Sequence, residues 1–342
     1  MQHEITSRGP LLDQAGNLVQ AGYAKRLLPV YRRADVKAPG TRIKEWDYYL
    51  VSNGRYAVAL TVADNGYMGL DSLSFLDLSQ GWEKTKSPMR LFPMGKTGLP
   101  SSSAEGDTVI RRKSYELSFR HVGTERVLQF RMERFLDGLP AQGIITLSEE
   151  PEESMVICTP FAAPGHFYFN QKINCLRASG EITVGGKTYV FSPSDSFGVL
   201  DWGRGVWTYH NTWYWGSASG AVEGVPFGWN IGYGFGNTAA ASENMLFYEG
   251  KAHKLSQVQF HIPLRDGKED YMSPWRFTSD DSRFEMAFTP ELDRQSCTDM
   301  KLLKSDQHQV FGRFTGTAVL DDGRAIEVRD FPGFAEKVEN KW

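Results

Sequence analysis

Cysteine is scarce in this chain of 342 residues: Cys158, Cys175 and Cys297 are widely separated, odd in number and without a Cys-x-x-Cys spacing. Such usage argues against a disulfide framework or a thiolate zinc site and suits a reducing compartment. Long apolar runs are missing too. No stretch of eighteen apolar residues occurs, so the sequence predicts no transmembrane segment. Neither sign of charge is in excess. Lys and Arg number 38 against 41 Asp and Glu, a formal net charge of -3, which gives no general attraction to phosphate backbones and makes nucleic acid an unexpected partner. The seven histidines are scattered, with no His-Glu-x-x-His or EF-hand pattern, so neither a metal site nor a Ser-His-Asp triad is predicted. Gly232-Tyr-Gly-Phe-Gly236 lacks the Gly-x-Gly-x-x-Gly spacing, and Gly216-Ser-Ala-Ser-Gly220 has no serine at its centre, so nucleotide loop and nucleophile elbow are both set aside. The first residues show no basic stretch followed by an apolar one, from which a cytoplasmic location without export is expected. No cofactor is called for, and oligomeric state is left open.

What the chain has is aromatic surface. Five of its nine tryptophans lie between Trp202 and Trp229. Read with period two, residues 207 to 215 put Trp207, Tyr209, Asn211, Trp213 and Trp215 on one side of a strand and Thr208, His210, Thr212 and Tyr214 on the other. The next strand, near 226 to 236, sets Gly228, Asn230, Gly232, Gly234 and Gly236 against Phe227, Trp229, Ile231, Tyr233 and Phe235. A glycine face beside an aromatic one lets rings lie flat on bare backbone or leaves a slot for a flat apolar ligand. Both readings, packed core and ligand slot, stay open.

Strand signals bounded by Gly, Asn and Asp turns dominate from about residue 42, and amphipathic helices are few, with short candidates at 18 to 28 and 299 to 304. The class is all-β. Asn53-Gly54 and Asn65-Gly66 predict two-residue hairpins. With Ser52 paired to Arg55 and Asp64 to Tyr67, Asp47 and Asp71 would both lie opposite Leu60, on one apolar face with Glu45. Buried acids there would have raised pKa values fit for proton donation, or would be neutralised by Lys44 or an arginine. Asp201, at the glycine-rich Asp-Trp-Gly-Arg-Gly break, is a second candidate acid, with Arg204 orienting it or pairing with it. Glu243, Asn244 and Tyr248 follow the glycine strand and are candidates for the same cavity. The segment 95 to 107 reads as a mobile loop over a barrel mouth. A boundary near residue 200 divides the chain into domains 1–200 and 201–342.

The strings Ile-Lys-Glu-Trp-Asp-Tyr-Tyr at 43 to 49, Leu-Asp-Trp-Gly-Arg-Gly-Val-Trp at 200 to 207, Trp-Tyr-Trp-Gly-Ser-Ala-Ser-Gly at 213 to 220 and Glu-Asn-Met-Leu-Phe-Tyr at 243 to 248 closely resemble the domain of unknown function 2804 family. That family is distantly similar to AttH-like and carotenoid 1,2-hydratase proteins. The resemblance implies two lipocalin-like antiparallel β-barrels in one chain and an apolar ligand, with Asp201 and Trp207 placed like an acid and an indole of the hydratase branch. The expected function is binding of a lipid, terpenoid or polyene in an aromatic pocket, with acid-catalysed hydration, cyclisation or isomerisation. Asp201, Arg204, Glu45 and Asp47 are the candidate catalytic groups. Trp202, Trp207, His210, Trp213, Tyr214, Trp215, Trp229, Asn230, Tyr233, Glu243 and Tyr248 are the candidate ligand contacts. A lipid carrier without chemistry and a carbohydrate-active protein are the alternatives.

Overall fold

The computed structural model describes residues 2–300 and 303–341. Their regular structure is almost all β, with one 3-10 turn at Arg33–Asp35. The predicted helix at 18 to 28 is absent. It holds the short strand Gly22–Ala24, whose glycine lies so close to His3 that a Cβ would fall 2.5 Å from the His3 carbonyl oxygen. The other predicted helix falls on the tip between Phe284–Met300 and Leu303–Val319, two long paired strands, with 301 and 302 outside the described residues.

Two large curled antiparallel sheets make most of the molecule, beside two two-stranded pairs, Gly9–Pro10 with Pro29–Val30 and Leu264–Arg265 with Lys268–Glu269. The first follows the order Trp82–Lys86, Met68–Asp77, Tyr56–Asp64, Lys44–Ser52, Phe197–Val206, Phe167–Val184, Leu139–Ser148, Glu125–Leu136, Tyr115–Val122 and Thr108–Arg112, with shorter strands off this path. The second runs Lys251–Lys254, Met245–Tyr248, Val225–Tyr233, His210–Val222, Ala325–Lys341, Leu303–Val319, Phe284–Met300, Trp275–Ser279 and Val258–His261. The sequence-based boundary at 200 falls inside Phe197–Val206, and the change of sheet comes at residues 207 to 209.

Each sheet encloses its own apolar inside. Leu60, Val62, Phe75, Phe130 and Ile145 belong to the first core; Trp229, Phe277, Phe288 and Phe314 belong to the second. Strands on the free side of the first sheet alternate as a one-sided strand must. In Glu125–Leu136, Leu128, Phe130 and Met132 are buried while Glu125, Gln129 and Arg131 are exposed. Lys44–Ser52, Tyr56–Asp64 and Phe197–Val206 are buried on both faces, because their outer faces pack against the second sheet. That is why the sequence shows no solvated side there.

Both hairpins form, two residues out of the expected register. Asn53 N–H donates to Tyr56 and Asn65 N–H to Met68, so the loop pairs are Gly54-Arg55 and Gly66-Tyr67. Gly54 (φ +74°) and Gly66 (φ +81°) take the left-handed positions, and Asn53 Oδ1 accepts from the amides of Arg55 and Tyr56. A slip of two keeps every side chain on its face. Asp47, Val62 and Asp71 now form one row, and Glu45 lies opposite Asp64.

Candidate functional site

The predicted site residues divide among three separate places. Glu45, Asp47, Asp71, Trp202 and Arg204 face the inside of the first sheet. There the acids are met by arginines: Arg204 Nη2 reaches Asp47 at 3.1 Å, Arg90 Nε reaches Asp71 at 2.7 Å, and Arg33 Nη1 reaches Glu45 at 2.5 Å. Thr108 donates to Asp47, Tyr115 to Asp71 and Tyr31 to Glu45. Arg204 is fully buried over the Trp202 ring and gives further bonds to the carbonyls of Trp46, Gly203 and Pro100. The segment 95 to 107 is pinned into this network. Gly95 and Thr97 donate to Asp64, and the Ser103 carbonyl accepts from Arg126. Beside Asp47 and Trp202 the free space is about 10 Å³, roughly the room of one water. Glu45, Asp47 and Asp71 each have an arginine and a hydroxyl partner, while Arg33 Nη2, Trp202 Nε1 and Arg204 Nε are buried without a hydrogen-bond partner.

Trp229 faces the inside of the second sheet. It is fully buried, with Phe227, Phe284, Phe314 and Phe331 rings at 5.2 to 5.7 Å. Tyr233 and Tyr214 stack on each other at 4.5 Å beside that core, which Tyr248 also joins. His210 is exposed at the sheet end, 3.3 Å from Glu339.

Between the sheets two cross-strand rows meet. Lys172, Asp201 and Tyr48 lie side by side across the outer face of the first sheet. Gln309, Glu336 and Trp215 lie side by side across the second. The Lys172 Nζ is 4.1 Å from the Trp215 ring centre, so the rows are in contact. Asp201 accepts from Lys172 at 3.1 Å and from Asn170 at 2.5 Å. Glu336 accepts from Trp213 Nε1 at 3.0 Å and from Gln309 at 2.9 Å. Asn230 accepts from Trp215 Nε1 and donates to the Glu243 carbonyl.

Burial is the dominant influence on Glu336 and Glu243. It pushes Glu336 up to about 7, against the opposing pull of the Trp213 hydrogen bond and the charges of Arg294 and Lys172. Burial also raises Glu243, with Lys172 opposing. Lys254, close to Glu243, is brought down to about 7 by the same desolvation. Tyr48 Oη, Asn170 Oδ1 and Gln309 Oε1 are buried here without a protein partner. The Asp201 side chain keeps 11% of its surface, so the junction is not sealed.

A cavity of about 310 Å³ lies between the sheets near these rows, though none of the row residues lines it. Its walls include Leu50, Val199, Ser217, Phe311 and Phe334. Each lies two positions along its strand from Tyr48, Asp201, Trp215, Gln309 or Glu336 respectively, one same-face step of roughly 7 Å. An apolar cleft between the sheets thus lies one step from Glu336, a carboxyl raised to about 7, and from Asp201, which is paired with Lys172. Such a pair divides acid from base.

Of the residues gathered at this junction, Asp201, Trp213, Trp215, Asn230 and Glu243 are among those singled out from sequence, and Lys172, Glu336 and Gln309 are not. One signal was available. Tyr168, Asn170, Lys172 and Asn174 alternate with Phe167, Phe169 and Ile173, so an otherwise apolar strand has one polar face. Nothing in Phe334-Ala-Glu336-Lys-Val marks that acid as buried, since a later strand must cover it. Among the described residues no group of three or more His, Cys, Asp or Glu has metal-holding geometry.

Comparison with known proteins agrees with this architecture. Kievitone hydratase from Nectria haematococca superposes with a TM-score of 0.50 over 98% of both chains at 11% identity. A candidate AttH from Nitrosomonas europaea gives a TM-score of 0.45 at 13% identity, over 86% of this chain and 92% of that one. None of the curated proteins matches. Residues 2–342 match the family described as Domain of unknown function (DUF2804), and the chain belongs to it.

Proposed function

We propose that this member of the family binds a hydrophobic small molecule in the cleft between its sheets and adds a proton to it at the Asp201–Glu336 rows. The observation that carries this reading is a 310 Å³ cleft between the sheets whose lining residues Leu50, Val199, Ser217, Phe311 and Phe334 stand one same-face step from those rows. Leu50, Val199, Phe311 and Phe334 would hold an apolar chain, and burial of a ligand in a volume of this order is typical of small-molecule sites.

In the reaction we infer, an alkene of the ligand takes the proton of Glu336, one carbon gaining hydrogen while its neighbour becomes electron-poor. Water adds at that neighbour and gives a proton to Asp201, whose charge Lys172 balances. A shift of that proton from Asp201 to Glu336 restores the starting state, and the net change is alkene plus water to alcohol. Hydratase-like chemistry is supported here by the acid pair, and the likeness to kievitone hydratase supports the fold. The two-domain division that goes with this reading has one domain for each sheet.

The test is turnover on a panel of unsaturated lipids, terpenoids and phenolic alkenes, read by mass spectrometry for uptake of one water. Wild type should convert at least one, Glu336→Gln should lose most of the rate, and Glu45→Gln should keep it wherever the variant folds. Equal turnover by Glu336→Gln and wild type overturns the assignment of the acid.

A further inference from the structure

Beyond Trp215, on the side away from the cleft, the junction ends in an aromatic cage. Its occupant is a side chain of the protein. The ring of Phe235 is ringed by Phe161 at 5.2 Å, Tyr168 at 4.9 Å, Trp207 at 5.2 Å and Trp213 at 5.3 Å, all edge-to-face. Behind them Trp46 stacks on Tyr168 and meets Trp207 edge-on. Four rings around one is a geometry that selects a flat, electron-rich six-membered ring over a flexible chain, because edge-to-face contacts add to simple area burial.

Phe235 differs from the core phenylalanines in its backbone. It stands in an irregular segment, 234 to 244, after the strand Val225–Tyr233. Glycines at left-handed φ precede and follow it, Gly234 at +94° and Gly236 at +76°. Glycine reaches such conformations without strain, so the backbone on either side of Phe235 is less restricted than that of a strand residue. Trp213 links cage and acid directly, since its indole touches Phe235 and its Nε1 donates to Glu336.

We propose that this cage is the subsite for a phenyl-type ring of the ligand and that Phe235 is its internal stand-in, displaced when the ligand binds. The proposal rests on the reading of the junction as the ligand site and narrows the ligand class from greasy molecules in general to those with an aromatic ring next to the protonated carbon. Removing the Phe235 ring from the cage gives up its burial there. A guest ring of equal size restores most of it, so exchange is close to neutral and the rest of the ligand supplies the affinity.

Two probes of similar size separate the possibilities: 4-propylphenol, which has the ring, and 1-nonanol, which lacks it. Binding is measured by titration calorimetry, with the indole N–H resonances of Trp207 and Trp213 followed by NMR. Wild type should bind 4-propylphenol with shifts of both indole signals, 1-nonanol should bind without them, and Phe235→Ala should bind 4-propylphenol about tenfold tighter because the competing ring is gone. Should Phe235→Ala not fold, Phe235→Leu serves, with a smaller gain. The ring subsite is overturned if only the truncated variants bind 4-propylphenol, which marks an engineered hole, or if 1-nonanol moves the same indole signals equally. Failure of both probes in every protein sinks the cleft reading as well; binding of 1-nonanol alone sinks only the ring subsite.

Discussion

Replacing Glu336 with glutamine should abolish a definable part of the pH dependence of stability. In the folded protein burial raises the Glu336 carboxyl from 4.5 to about 7. A raised acid binds its proton more tightly when folded, so below pH 4.5 both states are protonated and the group is neutral to stability. As pH rises from 4.5 to 7 the unfolded chain releases the proton while the folded one keeps it, and stability falls. The shift corresponds to about 3 kcal/mol across that window. Glutamine has no proton to release. It introduces a constant offset, because an amide N–H must meet either Trp213 or Gln309, and turning the Gln309 amide brings its unpartnered Oε1 to that N–H. Urea unfolding of wild type and Glu336→Gln at half-unit steps from pH 4 to 8 reads the difference between the two curves, in which most other groups cancel. The variant should gain about 3 kcal/mol relative to wild type between pH 4.5 and 7.5. Parallel curves would refute the raised carboxyl and, with it, Glu336 as proton donor.

Two further substitutions separate scaffold from site. Arg204→Met leaves Asp47 buried without its cation and three carbonyls without their donor; a loss of about 3 to 5 kcal/mol is expected in chemical denaturation, and a loss below about 1 kcal/mol would contradict the structural role. Gly203→Ala would put a Cβ 2.0 Å from Trp46 Cζ2; overpacking of about 1 to 3 kcal/mol is expected, with a shift in tryptophan fluorescence as the Trp46 ring leaves its seat, and unchanged fluorescence and stability would show that the ring has somewhere else to go.

Much of the fold could be read from residue patterns, and the reasons are local. Asn-Gly turns announced both hairpins, and period-two alternation in 210 to 215 and 226 to 233 assigned faces that the structure keeps, whereas Phe235, past the end of its strand, leaves the face of Phe227 and Trp229 for the junction. Turn chemistry left the loop pair open by one position, and so the register was off by two while every face held. The candidate site was legible only in half. Asp201, Trp213 and Trp215 stand in a conspicuous aromatic block, whereas Glu336 lies more than a hundred residues later and becomes buried only when the second sheet packs on the first. The same long-range packing split the tryptophans. Trp229, on the aromatic face of its strand, turned into the second core, and Trp202 into the first, so the indole-rich stretch lines no single pocket. Likewise Glu45 and Asp47 shared an apolar face as expected, yet the arginines that meet them, Arg33 and Arg204, come from a preceding loop and a distant strand.

The most direct trial of the inter-sheet cleft is the position of a bound apolar molecule. Crystals soaked with 1-bromononane should give a bromine anomalous peak between the sheets, among Leu50, Val199, Phe311 and Phe334, with the chain running toward Glu336. A peak inside the core around Trp229, or inside the first sheet beside Asp47, would contradict the account.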